Sequence, residues 1–279
     1  MIVIDENKCV GCSMCVRICH NRCIALVDGI ATINYALCDR CTQCAGICPQ
    51  QALSWDGVPP VRYDENRLPS PEQVDELFKE RRSIRFFKEK KIDRNLLEEV
   101  VRYGIYAPTN NHHLRTVVVD DAEVIEALER ITERFNSRMY RLFFKPKIVF
   151  GLLRWISPAV NPHVKAKLEE RRHESFKPAA MVLIIGDRRI AFSEASAQSA
   201  LDQMTFYGQV QGIGSCLWGA GVIVLDRNKV ARELLGLRRR EHILGILLLG
   251  YPAVKFANKV KGRMMDIEWI DGQGGVAGI

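Results

Sequence analysis

Four cysteines within eleven residues, repeated once, constrain this chain more than any other feature. Cys9, Cys12, Cys15 and Cys19 recur as Cys38, Cys41, Cys44 and Cys48, each displaced by 29 residues. The run C-x2-C-x2-C-x3-C is therefore present twice, and the amino-terminal stretch reads as a duplicated unit. Nine of the ten cysteines lie before residue 49. The opening residues 1–8 carry acids where a secretion signal needs a basic region and a long apolar run, so a cytoplasmic location is expected. Thiols stay reduced there, and clustered cysteines then hold metal more readily than disulfides. Structural zinc takes ligand pairs separated by a longer loop, a poor match to cysteines this dense.

Spacing this close lets three thiolates converge on one face of a cubane while the fourth cysteine, three residues on, points away. The second run ends in Cys48-Pro49, and residues 1–57 resemble the two-cluster bacterial ferredoxins. In such proteins the fourth cysteine of each run ligates the other cluster. The resemblance thus implies one [4Fe–4S] cluster on Cys9, Cys12, Cys15 and Cys48, and a second on Cys38, Cys41, Cys44 and Cys19. His20 stands where the family usually has proline. Cys23 falls opposite Ala52 in the repeat and is expected to be a small buried apolar residue rather than a ligand.

Net charge is +7, yet residues 1–57 hold four basic and five acidic side chains, a net of −1, leaving +8 on the remainder. This positive charge is diffuse, with no basic block interleaved with aromatics, so nucleic acid is not an expected partner. No run approaches the ~20 apolar residues of a membrane span. A composition of 47% hydrophobic and 26% charged residues suits a buried globular core.

The prolines of residues 58–61 and 68–71 bracket a stiff connector over 58–70. Ser70-Pro71-Glu72-Gln73 then reads as a helix start with a capping box. Periodicity predicts helices near 71–81, 94–103, 121–142, 194–211 and 226–235, and strands near 115–119, 180–186, 214–218 and 243–250. The expected organisation is a 1–57 module, a 58–70 linker and an α+β domain over 71–279.

Four segments of that domain draw attention. Arg81, Arg82, Ser83 and Arg85 suit a multidentate anion such as a phosphate; alone, arginines at a helix end simply complement its dipole. Ala107-Pro108-Thr109-Asn110-Asn111-His112-His113 groups short polar side chains. The small residues Ala195, Ala197, Ala200 and Gly208 allow close helix packing ahead of Gly212-Ile213-Gly214-Ser215-Cys216-Leu217-Trp218-Gly219-Ala220-Gly221, where backbone can approach a flat ligand. Leu249-Gly250-Tyr251-Pro252 ends a buried strand, and Lys261 and Arg263 follow.

In this order and spacing the four segments resemble the FMN-dependent nitroreductases, over about residues 71–265. The resemblance implies a mixed sheet with flanking helices, preceded here by the small ferredoxin-like unit, and a homodimer with flavin at the subunit interface. By position, Arg81, Arg82, Ser83, Lys261 and Arg263 would hold the FMN phosphate and ribityl chain. Arg85 would lie by the N1/C2-carbonyl edge, where a cation favours the reduced anionic flavin. Asn111 or His112 would meet the pyrimidine edge, and Leu217, Trp218, Gly219 and Ala220 would run along the ring. No side chain is assigned a catalytic role. The family's usual Gln-Pro-Trp is replaced by His113-Leu114-Arg115, and Gly219 stands where a bulkier residue is usual.

The implied activity is an FMN-dependent oxidoreductase fed through two clusters by a low-potential donor such as a ferredoxin. It would reduce an electrophilic small molecule of the nitroaromatic, quinone or activated-alkene class. The rival is a non-catalytic flavin and iron–sulfur carrier serving a partner enzyme, for which residues 143–164 would cover the flavin. No strand-linked G-x-G-x-x-G marks a dinucleotide site. Residues 143–164 are apolar and basic, and a lid over the flavin is expected there rather than a membrane contact.

Overall fold

The computed structural model describes residues 1–107, 114–157, 161–162, 165–166, 169, 176–260 and 269. Within the first 55 residues the sequence repeat is also a structural repeat. Strand β1 (Ile2–Ile4) pairs with β4 (Leu53–Trp55), and β2 (Ile24–Val27) with β3 (Ile30–Ile33), both antiparallel. Helices α1 (Met14–Ile18) and α2 (Gln43–Ile47) occupy matching places 29 residues apart. Their caps Ser13 and Thr42 are both left-handed, at φ 63° and 62°. Gly11 and Arg40 are likewise left-handed, at φ 64° and 58°. A side chain on Gly11 would collide with the Gly29 carbonyl, which explains why the two halves differ at that position. The core is small: Ile2, Ile24, Ala31, Ala45, Ala52 and Leu53 packed with Cys15, Cys23 and Cys44. Cys23 and Ala52 match as expected, with Cys23 only 6% exposed.

After a 3-10 turn at Glu65–Arg67, α3 (Pro71–Glu80) starts with the predicted capping box, Ser70 and Gln73 bonding reciprocally. Then come α4 (Arg94–Arg102), a 3-10 turn (Tyr103–Tyr106) and β5 (Arg115–Val119). Helix α5 (Ala122–Met139) runs into a π-turn (Tyr140–Phe144), and α6 (Lys147–Ile156) follows. The remainder is β6 (Ala180–Gly186), α7 (Ser193–Val210), β7 (Gly214–Leu217), α8 (Gly219–Leu225), α9 (Lys229–Leu234) and β8 (His242–Gly250). The helix expected near 226–235 is α9, and α8 precedes it as a further helix that the periodicity does not predict. The glycine-rich start of α8 conceals it from a periodicity reading.

The sheet runs β5-β6-β8-β7 with antiparallel ladders, and a parallel bridge from Ser83 to Ser215 makes it mixed at the β7 edge. All seven residues of β6 are buried, because both of its faces are covered. Met181, Leu183 and Ile185 face Leu128 of α5, Leu225 of α8 and Ala231 of α9. Ala180, Val182 and Ile184 face Val100 of α4 and Leu201 and Met204 of α7. Alternation of side chains along a strand sorts one apolar run into two cores. On α7, Ala197, Ala200 and Gly208 lie on the packed face, whereas Ala195 is exposed and Ser196 takes its place.

A buried carboxylate ties the far end of this sheet together. Asp226, after α8, accepts from the Ile243 amide at 2.8 Å, and its oxygens lie 3.2 Å from Arg188, 3.5 Å from Arg232 and 3.1 Å from His242 Nδ1. Asp226→Ala would leave two guanidinium groups around an empty polar hole. We expect a loss of about 3 kcal/mol, toward the low end for a buried pair because Arg188 remains half-open to water, read by urea denaturation.

Candidate functional site

Three of the four segments singled out in the sequence meet along the β7 edge. The Ile84 amide donates to the Ser215 carbonyl at 2.8 Å, Lys88 to the Tyr251 carbonyl at 2.8 Å, and Ala253 to the Phe86 carbonyl at 2.9 Å. The strand-like run 83–88 is thereby laid against β7 and the turn that follows β8. A cleft of about 460 Å³ opens beside it, lined by Arg81, Arg82, Lys88, Gln209, Gly212–Ser215 and Pro252–Phe256. That volume fits a cofactor-sized ligand.

The polar lining selects for an anion. Arg81, Arg82, Lys88 and Lys255 face one acid, Glu80. Arg82 is partly engaged already, donating from Nη1 to the Lys79 carbonyl at 2.6 Å and the Arg81 carbonyl at 2.8 Å at the end of α3. Arg81 itself is exposed. Gln209 donates from Nε2 to the Leu77 carbonyl at 3.0 Å, while its buried Oε1 has no hydrogen-bond partner. An orphaned buried acceptor at a cleft wall is costly unless a ligand donor meets it, and a polyol chain offers such donors. Gln209, Lys88 and Lys255 were not singled out in the sequence. Only the fold brings the outer end of α7 and the residues after Pro252 to the arginine segment.

Beyond the cleft, Leu217, Gly219 and Ala220 are exposed where β7 passes into α8. Trp218 differs: its ring is buried in the core, edge-on to Phe176 at 6.1 Å. Only its main chain is therefore available to a flat ligand. A side chain at Gly221 would collide with that ring, so Gly221→Ala should cost about 1–3 kcal/mol and lower Tm. A side chain at Gly219 would meet open space. Ser83 is half-buried at its bridge and Arg85 exposed. Asn111, His112, Lys261 and Arg263 lie outside the described residues. Residues 143–157 are absent from the described lining of the cleft, Ile148, Leu152, Trp155 and Ile156 of α6 are exposed, and residues 158–160 and 163–164 of the expected lid lie outside the described residues.

The cysteines form two sets, and each draws from both runs. Cys9, Cys12 and Cys15 of the first run line one cavity with Cys48 of the second. Cys38, Cys41 and Cys44 line the other with Cys19 of the first, and with Cys23. The crossing follows from each fourth cysteine capping its helix in extended conformation, Cys19 after α1 and Cys48 after α2. Main-chain amides aim at these sulfurs: Cys23 at Cys19, 3.4 Å, and Ala52 at Cys48, 3.3 Å. Burial pushes the Cys23 thiol up to about 12, whereas at Cys19 the burial cost is outweighed by hydrogen bonds from Cys23, Asn21 and Arg22, and its thiol is lowered. The two sulfurs lie 3.3 Å apart, and Cys23 lines the same cavity as Cys19, Cys38, Cys41 and Cys44. Burial also raises Cys15, and Cys44 to about 11, a cost that a bound metal would offset.

A profile of the Nitroreductase family matches residues 78–251. The chain belongs to this family. It is an oxidoreductase by that membership. A nitroreductase with bound FMN from Desulfitobacterium hafniense covers 70% of the chain with 98% of its own length at 16% identity and a TM-score of 0.54. Iodotyrosine deiodinase bound to FMN and 3-iodo-L-tyrosine covers 71%, over 99% of itself, at 17% identity and a TM-score of 0.51. Both likenesses establish the α+β nitroreductase fold. A further relative is an uncharacterised ferredoxin, MJ0722, of Methanocaldococcus jannaschii, 33% identical over 70 residues and 91% of its length. Pyruvate synthase subunit PorD of Thermotoga maritima is 35% identical over 52 residues, about half its length (52%). The chain thus joins a ferredoxin-like unit to a nitroreductase. Among the described residues no helix is long and apolar enough to cross a membrane.

Proposed function

We propose that this chain binds FMN in the cleft beside β7 and two [4Fe–4S] clusters on the crossed cysteine sets, and passes electrons from a ferredoxin-type donor to an electrophilic small molecule. The observation that carries the reading is the pair of four-cysteine cavities built into the same chain as a cation-lined nitroreductase cleft. Thiols ringing a cavity suit a cubane better than a zinc tetrahedron with its ~2.3 Å bonds.

When bound, the clusters supply one-electron steps and the flavin a two-electron reduction of the acceptor. The chain's own part is to hold and tune. Arg81 and Lys255 neutralise the phosphate, Gln209 accepts from the ribityl chain, and Leu217 to Ala220 offer main-chain groups to the ring. Arg85 stabilises negative charge on the reduced pyrimidine edge. Amides pointing at Cys19 and Cys48 raise the potentials of their clusters. Nitroaromatics, quinones and activated alkenes are the acceptor classes this reading offers, with the working unit a cytoplasmic homodimer of 1–57 modules linked through 58–70 to 71–279 domains.

Anaerobic stepwise reduction of purified chain, with iron and flavin measured on the same sample, tests the whole assignment. Broad cluster absorbance together with flavin bands, both bleaching, is expected. Iron without flavin would leave a ferredoxin on a fold that no longer binds FMN and would refute the enzyme reading.

A further inference from the structure

The two cysteine sets are related by a 29-residue repeat, yet their surroundings are unequal. Thr42, between Cys41 and Cys44, and Trp55, at the end of β4, share a cavity of about 510 Å³ with Gly104, Ile105, Tyr106 and Met204 of the nitroreductase unit. Tyr106 leads directly into Ala107, where the loop expected at the flavin begins. The residues 29 positions earlier, Ser13 and Leu26, sit beside the Cys9 set. Among the described residues both four-cysteine cavities are lined by the ferredoxin-like unit alone, but neither Ser13 nor Leu26 lines the cavity that Thr42 and Trp55 share with the nitroreductase unit, and Val10 beside the Cys9 set is 65% exposed.

We propose that this juxtaposition orders the relay: the Cys38, Cys41, Cys44 and Cys19 set is the flavin-side end, with Trp55 at the junction, and the Cys9, Cys12, Cys15 and Cys48 set is the entry end. The order rests on the function proposed above. Thr42 is held in place, its carbonyl accepting from Ala45 at 2.9 Å and Gly46 at 3.1 Å. Trp55 is anchored opposite Ile2 in the β1–β4 ladder. Both supports lie within the ferredoxin-like unit, which therefore fixes where Thr42 and Trp55 are presented. Leucine fills the equivalent of Trp55 at the entry end, where no second unit has to be met. In each passage one external electron is taken up at the Cys9 set as the donor is oxidised. It then moves to the Cys38 set and on to FMN, leaving each set as it began. Two passages and a proton complete the reduction of the flavin by two electrons.

The test uses full chain loaded anaerobically with iron, sulfide and FMN, mixed rapidly with reduced methyl viologen. Cluster and flavin bleaching are followed separately, and chain loaded with FMN alone gives the direct rate. Cys12→Ser should leave flavin bleaching above that direct rate, whereas Cys41→Ser should drop to it. Trp55→Leu, which alters no ligand, should slow flavin bleaching about tenfold with cluster bleaching unchanged, and Leu26→Ala should slow neither. The opposite dependence, or equal sensitivity of the two ends, would overturn the order. Wild-type chain that takes up no FMN or no iron overturns the function itself, and metal and flavin analysis tells that failure apart.

Discussion

Cys41→Ser is expected to purify with about half of the iron and full FMN, and to lose most of its turnover with a ferredoxin donor. The cysteine sits in the C-x2-C-x2-C part of the second run and lines the cavity with Cys38, Cys44 and Cys19. Its loss opens one coordination position in that set and leaves the Cys9 set intact, because the cavities share no cysteine. The cleft beside β7, where FMN is proposed to bind, shares no residue with either cavity, so dithionite should still bleach the flavin directly. The contrast between donors is the decisive readout. If dithionite-driven flavin reduction fell as far as ferredoxin-driven turnover, the cysteine would be supporting the fold rather than conducting electrons. Far-UV circular dichroism on the same sample distinguishes those cases.

Much of this was legible beforehand, and the reason is local. The cysteine repeat encodes its own geometry: equal spacing gives equal turns, and Ser13 with Thr42, or Gly11 with Arg40, adopt the same left-handed backbone. Strands β5, β6 and β8 were readable because short apolar runs with β-branched residues have few alternatives. The cap at Ser70 was readable because its hydrogen bonds span three residues. Long-range consequences were not. Trp218 sits in a glycine-rich motif that resembles a ligand loop, yet its ring fills the core, since Gly221 clears space for it one turn later. Gln209 gives no local signal, and its orphaned oxygen becomes evident only when α7 reaches the end of α3. The arginine segment was readable as anion-binding in sum but not residue by residue.

That last distinction yields the second large effect, a separation of Arg81 from Arg82. Both are candidates for the FMN phosphate, and both line the cleft. Arg82, however, spends hydrogen-bonding capacity on the carbonyls of Lys79 and Arg81, closing the end of α3. Arg81 has an exposed side chain and a fork geometry suited to a phosphate. A hydrogen bond to a charged group contributes about 1.5–3 kcal/mol, so Arg81→Ala should weaken FMN binding roughly 10- to 100-fold. Arg82→Ala should instead cost stability at the end of α3, about 1 kcal/mol, with a smaller effect on flavin. Equilibrium titration of flavin-stripped chain with FMN, beside thermal melts of both variants, separates the two. Equal flavin affinity in Arg81→Ala and wild type would move the phosphate elsewhere in the cleft, with Lys88 and Lys255 the remaining cations there. A large flavin loss in Arg82→Ala with an unchanged melt would show that its helix-end hydrogen bonds give way when the phosphate arrives.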